Sequence, residues 1–234
     1  MSLLLSGPGY ILNRQRIDII GDSATPLRPS KIVCVGRNYP DHAVELGNVV
    51  PDEPLIFLKP SSSVIYPGMP IVVPFGVGRV DYEGEIGIRI GISARHISEV
   101  EAWDIVDGVL PLNDVTARDL QMKDNQWSRA KGFDTFCPLG PVSSVDPEDF
   151  PELVLVTRVN GVERQRASAA DMVFSVSVLI AYISRIMTLE EGCIIATGTP
   201  GGIGPIEPGD EVEVEIEGIG IVRNPVIGED ISGT

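Results

Sequence analysis

The sequence predicts a mixed-β domain with a few helices, of the α+β class, and three observations carry that expectation. Short apolar runs bounded by Gly, Pro, Asn and Asp recur along the 234 residues, which is the punctuation of strands and turns. Helical periodicity is confined to a few segments, and these do not alternate with the strands as a parallel βαβ plan requires. No internal repeat or low-complexity linker divides the chain, and its length suits one sizeable core.

Residues 1–29 read as a short lead-in ending in a turn-rich stretch, and residues 30–234 as the main domain. The apolar run 31–36 is a buried strand. It passes into 37–47, a helix of two turns at most, with Asn38 placed to cap it, Pro40 suited to the first turn and Gly47 to the stop. Leu55–Lys59 and Ile71–Val73 are short strands. In 80–91 the even positions Tyr82, Ile86, Ile88 and Ile90 are large and apolar, while Glu83, Glu85 and Arg89 are polar. Period two predicts a strand with both glutamates on one face and the core behind them. Ser98-x-x-Glu101 is a capping-box pattern for a helix reaching about Val106. A strand over 109–114 and a short helix over 117–122 follow. The run 153–159 leads into Asn160-Gly161, the strongest two-residue hairpin signal. The apolar stretch 172–187 carries Ser175, Ser177, Ser184 and Arg185, so it predicts a buried helix and not a membrane span. A strand at 193–197 and a half-buried strand with an acidic outer face at 211–217 complete the pattern.

A net charge of −15 argues against nucleic acid and anionic membrane as partners, since both need a basic footprint. Cys34, Cys137 and Cys193 form no C-x-x-C pair and are odd in number. They read as buried thiols in a reducing compartment, and the Leu3–Leu5 run is too short for a signal-peptide core, so the cytoplasm is expected.

Two carboxylates held as close as Glu83 and Glu85 repel unless something neutralises them, and a divalent cation does so directly. An exposed acidic strand face would give the same pattern. Asp114, at the end of a separate strand, would complete an all-oxygen set. Such ligands select Mg²⁺, Mn²⁺ or Ca²⁺ over zinc. Of the two histidines, His96 lies in a polar loop. His42 stands three residues from Glu45 on the short helix, the spacing of a His oriented by a carboxylate for general-base work or of a surface ion pair. Lys59 and Lys131 sit among apolar neighbours. The glycine-rich run 196–205 lacks both the Lys and the following helix that a nucleotide loop needs, though its N–H groups suit a substrate carboxylate.

Taken together, the segments 35–45, 57–60, 81–85, 113–121, 130–134 and 197–202 resemble the fumarylacetoacetate hydrolase family, in order and over nearly the whole chain. They include Gly36-Arg37-Asn38-Tyr39-x-x-His42-x-x-Glu45, Asp81-Tyr82-Glu83-Gly84-Glu85 and Thr197-Gly198-Thr199-Pro200-Gly201-Gly202. The resemblance implies a mixed β-sandwich roll, with Glu83, Glu85 and Asp114 as Mg²⁺ or Mn²⁺ ligands. It implies His42 and Glu45 as a dyad on a mobile lid, and Lys131 as the cationic partner of the substrate. Arg37, Lys59, Gln121 and Thr199 fall where relatives line the pocket, and a homodimer is expected. The implied chemistry is cleavage of a C–C bond in a small dicarbonyl acid, by acylpyruvate hydrolysis or oxaloacetate decarboxylation, through a metal-stabilised enolate. The alternative is a hydroxyheptadienedioate isomerase/decarboxylase of aromatic catabolism. A non-catalytic Ca²⁺-binding β module is the remote rival, and it leaves His42, Glu45 and Lys131 without a task.

Overall fold

A computed structural model describes residues 28–45, 49 and 51–230; the side chains of residues 42–44 fall outside that description, as does all but the end of the expected lead-in. A five-stranded mixed sheet runs in the order β2 (Leu55–Lys59), β1 (Ile32–Gly36), β12 (Ile194–Ala196), β6 (Gly84–Ile90) and β7 (Val106–Asn113). A second sheet has the order β11 (Val162–Ser168), β10 (Val154–Val159), β14 (Glu211–Ile216), β15 (Gly220–Gly228) and β4 (Ile71–Val73). Two small ladders complete the strands: β13 (Gly204–Pro205), β5 (Val80–Tyr82) and β8 (Thr116–Ala117), and β3 (Val64–Ile65) with β9 (Cys137–Pro138). The helices are α1 (Pro40–Glu45), α2 (Arg118–Lys123), α3 (Ser128–Lys131) and α4 (Val176–Ile186).

The inner strands β1, β12 and β6 of the first sheet are buried on both faces, which is why β1 and β12 read as continuous apolar runs. Val33, Val35, Ile86, Ile88 and Val109 enter the main core, where they meet Leu155, Val214 and Ile216 of the second sheet and Leu179, Ile180 and Ile183 of α4. Ile32, Cys34, Leu110, Leu112, Ile194 and Ala196 face the other way into a separate cluster with Cys137 and Leu139. Alternation along β1, β7 and β12 therefore feeds two cores.

Several expectations are corrected by this arrangement. The stretch 80–91 is two strands in two sheets, and the chain crosses between them at Glu83. Its polar positions are not exposed, since Asp81, Glu83 and Glu85 are all buried. Asn38 does not cap α1: its amide donates to the Phe174 and Thr197 carbonyls and its oxygen accepts from Phe174 N. The Ser98 and Glu101 side chains do meet, but they close a turn before a single 3₁₀ turn at Ala102–Ile105, not an α-helix. α4 starts at Val176, because Ser175 caps it by accepting from Val178 N. The acidic face of β14 is paired with arginines, Glu213 and Glu215 with Arg158 and Glu213 also with Arg223. The nine-residue β15 was not expected. The hairpin at Asn160-Gly161 is present, with both residues at positive φ (53° and 76°) as a type I′ turn requires. Cys34, Cys137 and Cys193 are free and buried. Among the described residues no helix is long and apolar enough to cross a membrane.

Candidate active site

Strand direction gathers the polar residues at one end of the first sheet. β1 and β12 are parallel and finish at that end, antiparallel β6 begins there, and β7, antiparallel to β6, finishes there. Gly84 pairs with Asn113, so Glu83 and Asp114 stand opposite one another just beyond the ladder, with Asp114 N donating to Glu83 O at 2.8 Å. Glu85 lies two residues into β6. Oxygen atoms of Glu83, Glu85 and Asp114 come within 4.8 Å of one another, and all three residues are buried.

Buried carboxylates need neutralising groups. Lys131, at the end of α3, donates from Nζ to Glu83 Oε2 and Asp114 Oδ2, both at 2.6 Å. Lys59 Nζ reaches Asp114 Oδ1 at 2.6 Å and the Val115 carbonyl at 3.1 Å. Arg118, the first residue of α2, bridges Asp81 at 2.8 Å, Glu83 and Gln121. Glu85 differs: among the described residues no cation pairs with it, and the contact to its carboxylate is Gly198 N donating to Oε2 at 2.8 Å. Burial, and then the neighbouring Asp114, push its carboxyl well above the usual range. Burial works against the Lys131 ammonium, but Asp114 and Glu83 outweigh it and hold the ammonium charged.

Three oxygen donors converging around one buried, uncompensated carboxylate fit a hard divalent cation such as Mg²⁺ or Mn²⁺, with no nitrogen or sulfur donor in the set. They open onto a cleft of about 520 Å³, within the range of small-molecule pockets. Phe57, Trp127 and Met122 form its apolar part; the Phe57 and Trp127 rings meet edge to face at 5.2 Å, and Lys131 Nζ lies 5.1 Å from the centre of the Phe57 ring.

Of the other residues singled out in the sequence, Arg37, Gln121 and Thr199 line this cleft. Arg37 holds a left-handed backbone (φ 60°), a strained conformation of the kind found at functional sites, and among the described residues its guanidinium has no hydrogen-bond partner. Thr199 cannot offer its hydroxyl proton, which goes to Gly84 O at 2.8 Å. Lys59 is 2% exposed and paired with Asp114, and it is not among the residues that line the cleft. Glu45 is exposed, and its Oε2 accepts from Gly202 N at 3.1 Å. The His42 side chain lies outside the described residues.

Arg118, Asp81 and Arg79 were missed. Arg79 clasps Asp81 through Nε and Nη2 (2.6 and 3.1 Å), and Asp81 shares its second oxygen with Arg118. The signal was available: Asp81 precedes Glu83 and Glu85 in the same period-two row, and a third carboxylate on a strand backed by core requires a cationic partner.

Residues 31–227 match the fumarylacetoacetate (FAA) hydrolase C-terminal domain. The chain is 45% identical over 202 residues to a mitochondrial oxaloacetate tautomerase of Arabidopsis thaliana, covering 83% of this chain and 89% of the relative. Among solved structures it superimposes on a 5-carboxymethyl-2-hydroxymuconate delta-isomerase from Mycobacterium smegmatis (TM-score 0.81, 45% identity, 88% of this chain and 81% of the other). It likewise matches a fumarylpyruvate hydrolase from Pseudomonas aeruginosa in complex with Mn²⁺ and pyruvate (TM-score 0.81, 32% identity, 86% and 91%). With fold, motif order and these likenesses in agreement, the chain belongs to the fumarylacetoacetate hydrolase family, a family of enzymes.

Proposed function

We propose that this enzyme acts on a small 2-oxo diacid of the oxaloacetate class through its enol or enolate form, with a divalent cation held by Glu83, Glu85 and Asp114. The charge balance of the cleft carries the reading. Four basic side chains line it, Arg37, Arg79, Arg118 and Lys131, against four carboxylates, Glu83, Glu85, Asp114 and Asp119. A divalent cation added to that balanced set leaves an excess of two positive charges, which matches a dianion. When bound, such an ion supplies Lewis acidity toward the oxygens of a 2-oxo acid and stabilises charge that develops there.

The chain's own residues then have separable tasks. The Lys131 ammonium, fixed by two carboxylates, is the donor for developing enolate charge. Arg79 and Arg37 offer guanidinium N–H groups to the carboxylate remote from the 2-oxo end, with Arg79 held rigid by Asp81. Phe57 and Trp127 keep water from one wall. The first reaction supported is enol–keto tautomerisation of oxaloacetate, which needs a proton moved and no water activated; the Arabidopsis relative bears that name. Cleavage of a C–C bond, by hydrolysis or decarboxylation, is the second reading, favoured by the fumarylpyruvate hydrolase likeness. Following loss of enol-oxaloacetate absorbance and release of pyruvate side by side, with Mg²⁺ or with chelator, tests both. An enzyme inert in every arm would refute the proposal.

Two substitutions probe the division of labour. Arg79→Met should lower kcat/KM for diacids by about 10- to 100-fold, the worth of a hydrogen bond to a charged group, and leave 2-oxo monoacids unaffected. Equal loss on both would remove Arg79 from substrate recognition. Lys131→Met should reduce kcat by roughly 10²–10³ with a smaller change in KM, the usual cost of losing one donor to developing charge. An unchanged kcat would leave Lys131 a counter-ion only. The same reading includes a cytoplasmic homodimer, whose mass light scattering measures directly.

A further inference from the structure

The crossing of the chain between sheets at Glu83-Gly84 leaves two backbone N–H groups without strand partners, and each is taken by a buried carboxamide. Glu83 N donates to Asn113 Oδ1 at 3.0 Å, and Gly84 N donates to Gln165 Oε1 at 3.0 Å. Gln165 comes from β11, the edge strand of the second sheet, and is 1% exposed although both its neighbours in that strand are largely open. A β-bulge aims it: Thr157 pairs with Gln165 but Arg158 pairs with Glu163, so Arg164 is the extra residue. Bulges of this kind redirect a side chain.

The other end of the same amide holds the glycine-rich loop. Gln165 Nε2 donates to Thr199 Oγ1 at 2.8 Å and to Pro200 O at 2.9 Å, and the Thr199 hydroxyl donates back to Gly84 O at 2.8 Å. One residue earlier, Gly198 N holds Glu85 Oε2; two residues beyond Pro200, Gly202 N meets Glu45. Close approach requires glycine at both contacts. A Cβ on Gly84 would lie 2.0 Å from Thr157 Oγ1, and one on Gly202 would lie 2.2 Å from the Arg164 carbonyl oxygen.

We infer that Gln165 is a positioning residue for the cation site: it fixes the Gly84 peptide between Glu83 and Glu85 and ties it to the loop that orients Glu85. It touches none of the three carboxylates and acts through the backbone that carries them. This rests on the reading of Glu83, Glu85 and Asp114 as cation ligands. If the wild-type protein bound no divalent cation, that reading would fail by itself, and the backbone part of the inference would still be measured.

The test uses the full chain stripped of metal. Gln165→Met keeps the volume and removes both hydrogen-bonding groups. Its affinity for Mn²⁺, read by calorimetry, should fall on the order of 10- to 100-fold, as for other groups that orient metal ligands. Amide exchange at Gly84 and across 198–202 should quicken in the metal-free state. Thr157→Val alters packing against the same Gly84, but the Thr157 hydroxyl has no hydrogen-bond partner among the described residues; its Mn²⁺ affinity should stay at the wild-type value. Should Gln165→Met fail to fold, Gln165→Asn, which keeps the amide one methylene short, should show the same losses in smaller measure. Wild-type affinity and exchange in a folded Gln165 variant would overturn the inference, and so would an equal affinity loss in Thr157→Val, which would assign the effect to packing.

Discussion

Glu85→Gln should abolish divalent-cation binding and turnover while leaving the melting temperature of the metal-free protein unchanged or raised. Asp114→Ala should abolish the same two functions but also destabilise the protein. The asymmetry follows from who neutralises whom. Asp114 holds Lys59 and Lys131 at 2.6 Å, and all three side chains are almost wholly buried. Deleting it leaves the buried Lys59 ammonium without a carboxylate and Lys131 with Glu83 alone, and an uncompensated buried charge of that kind costs about 3–5 kcal/mol. For a chain of this size that corresponds to a drop of roughly 6–20 °C. Glu85 has no such partner among the described residues, so its neutralisation removes repulsion with Asp114 and strands nothing. The measurement is a pair of experiments, Mn²⁺ calorimetry and thermal melts in chelator, on both variants. Wild-type Mn²⁺ affinity in Glu85→Gln would take that residue out of the ligand set. Equal destabilisation by both substitutions would mean that Glu85 is neutralised within the protein.

What the sequence made legible divides along a physical line. Local periodicity located β2 and β4 at their observed bounds and the Asn160-Gly161 hairpin, because pleat and turn chemistry are properties of a few adjacent residues. It joined β5 to β6 because alternation persists through Glu83, where the backbone nonetheless leaves one sheet for another; only long-range pairing reveals that crossing. β15 escaped notice since Arg223, Asn224 and Pro225 interrupt its apolar run, yet Asn224 is buried, donating to the carbonyls of Tyr66 and Met69. In the site, charges close in sequence, Glu83 and Glu85, announced themselves, and motif order brought in Asp114 and Lys131. The side chains that finish the site from a distance did not. Arg118 lay inside the 113–121 motif with no role attached to it, and Gln165 sat in a polar, exposed strand pattern whose single inward turn depends on a bulge.

The reaction type turns on α1. If His42 and Glu45 activate water, His42→Ala should cut acylpyruvate hydrolysis by roughly 10²–10⁴, the usual contribution of general-base catalysis. The double variant with Glu45→Gln should be little worse than either single, since residues that act as a unit are not additive. Oxaloacetate tautomerisation in the same variants should suffer less, because no water is activated there. The contact from Gly202 N to Glu45 Oε2, at 3.1 Å, adds a finer discrimination. Glutamine at position 45 keeps a carbonyl oxygen that can accept this bond but loses the charge that supports a histidine cation; alanine loses both. A hydrolytic dyad therefore predicts that Glu45→Gln and Glu45→Ala are equally damaging to hydrolysis. A helix whose task is to tether the glycine-rich loop predicts instead that Glu45→Gln is mild, that Glu45→Ala is severe, and that both substrates are affected alike. Stopped-flow rates for the two substrates across the four variants separate these outcomes, and full activity in every variant would refute a role for the dyad in either reaction.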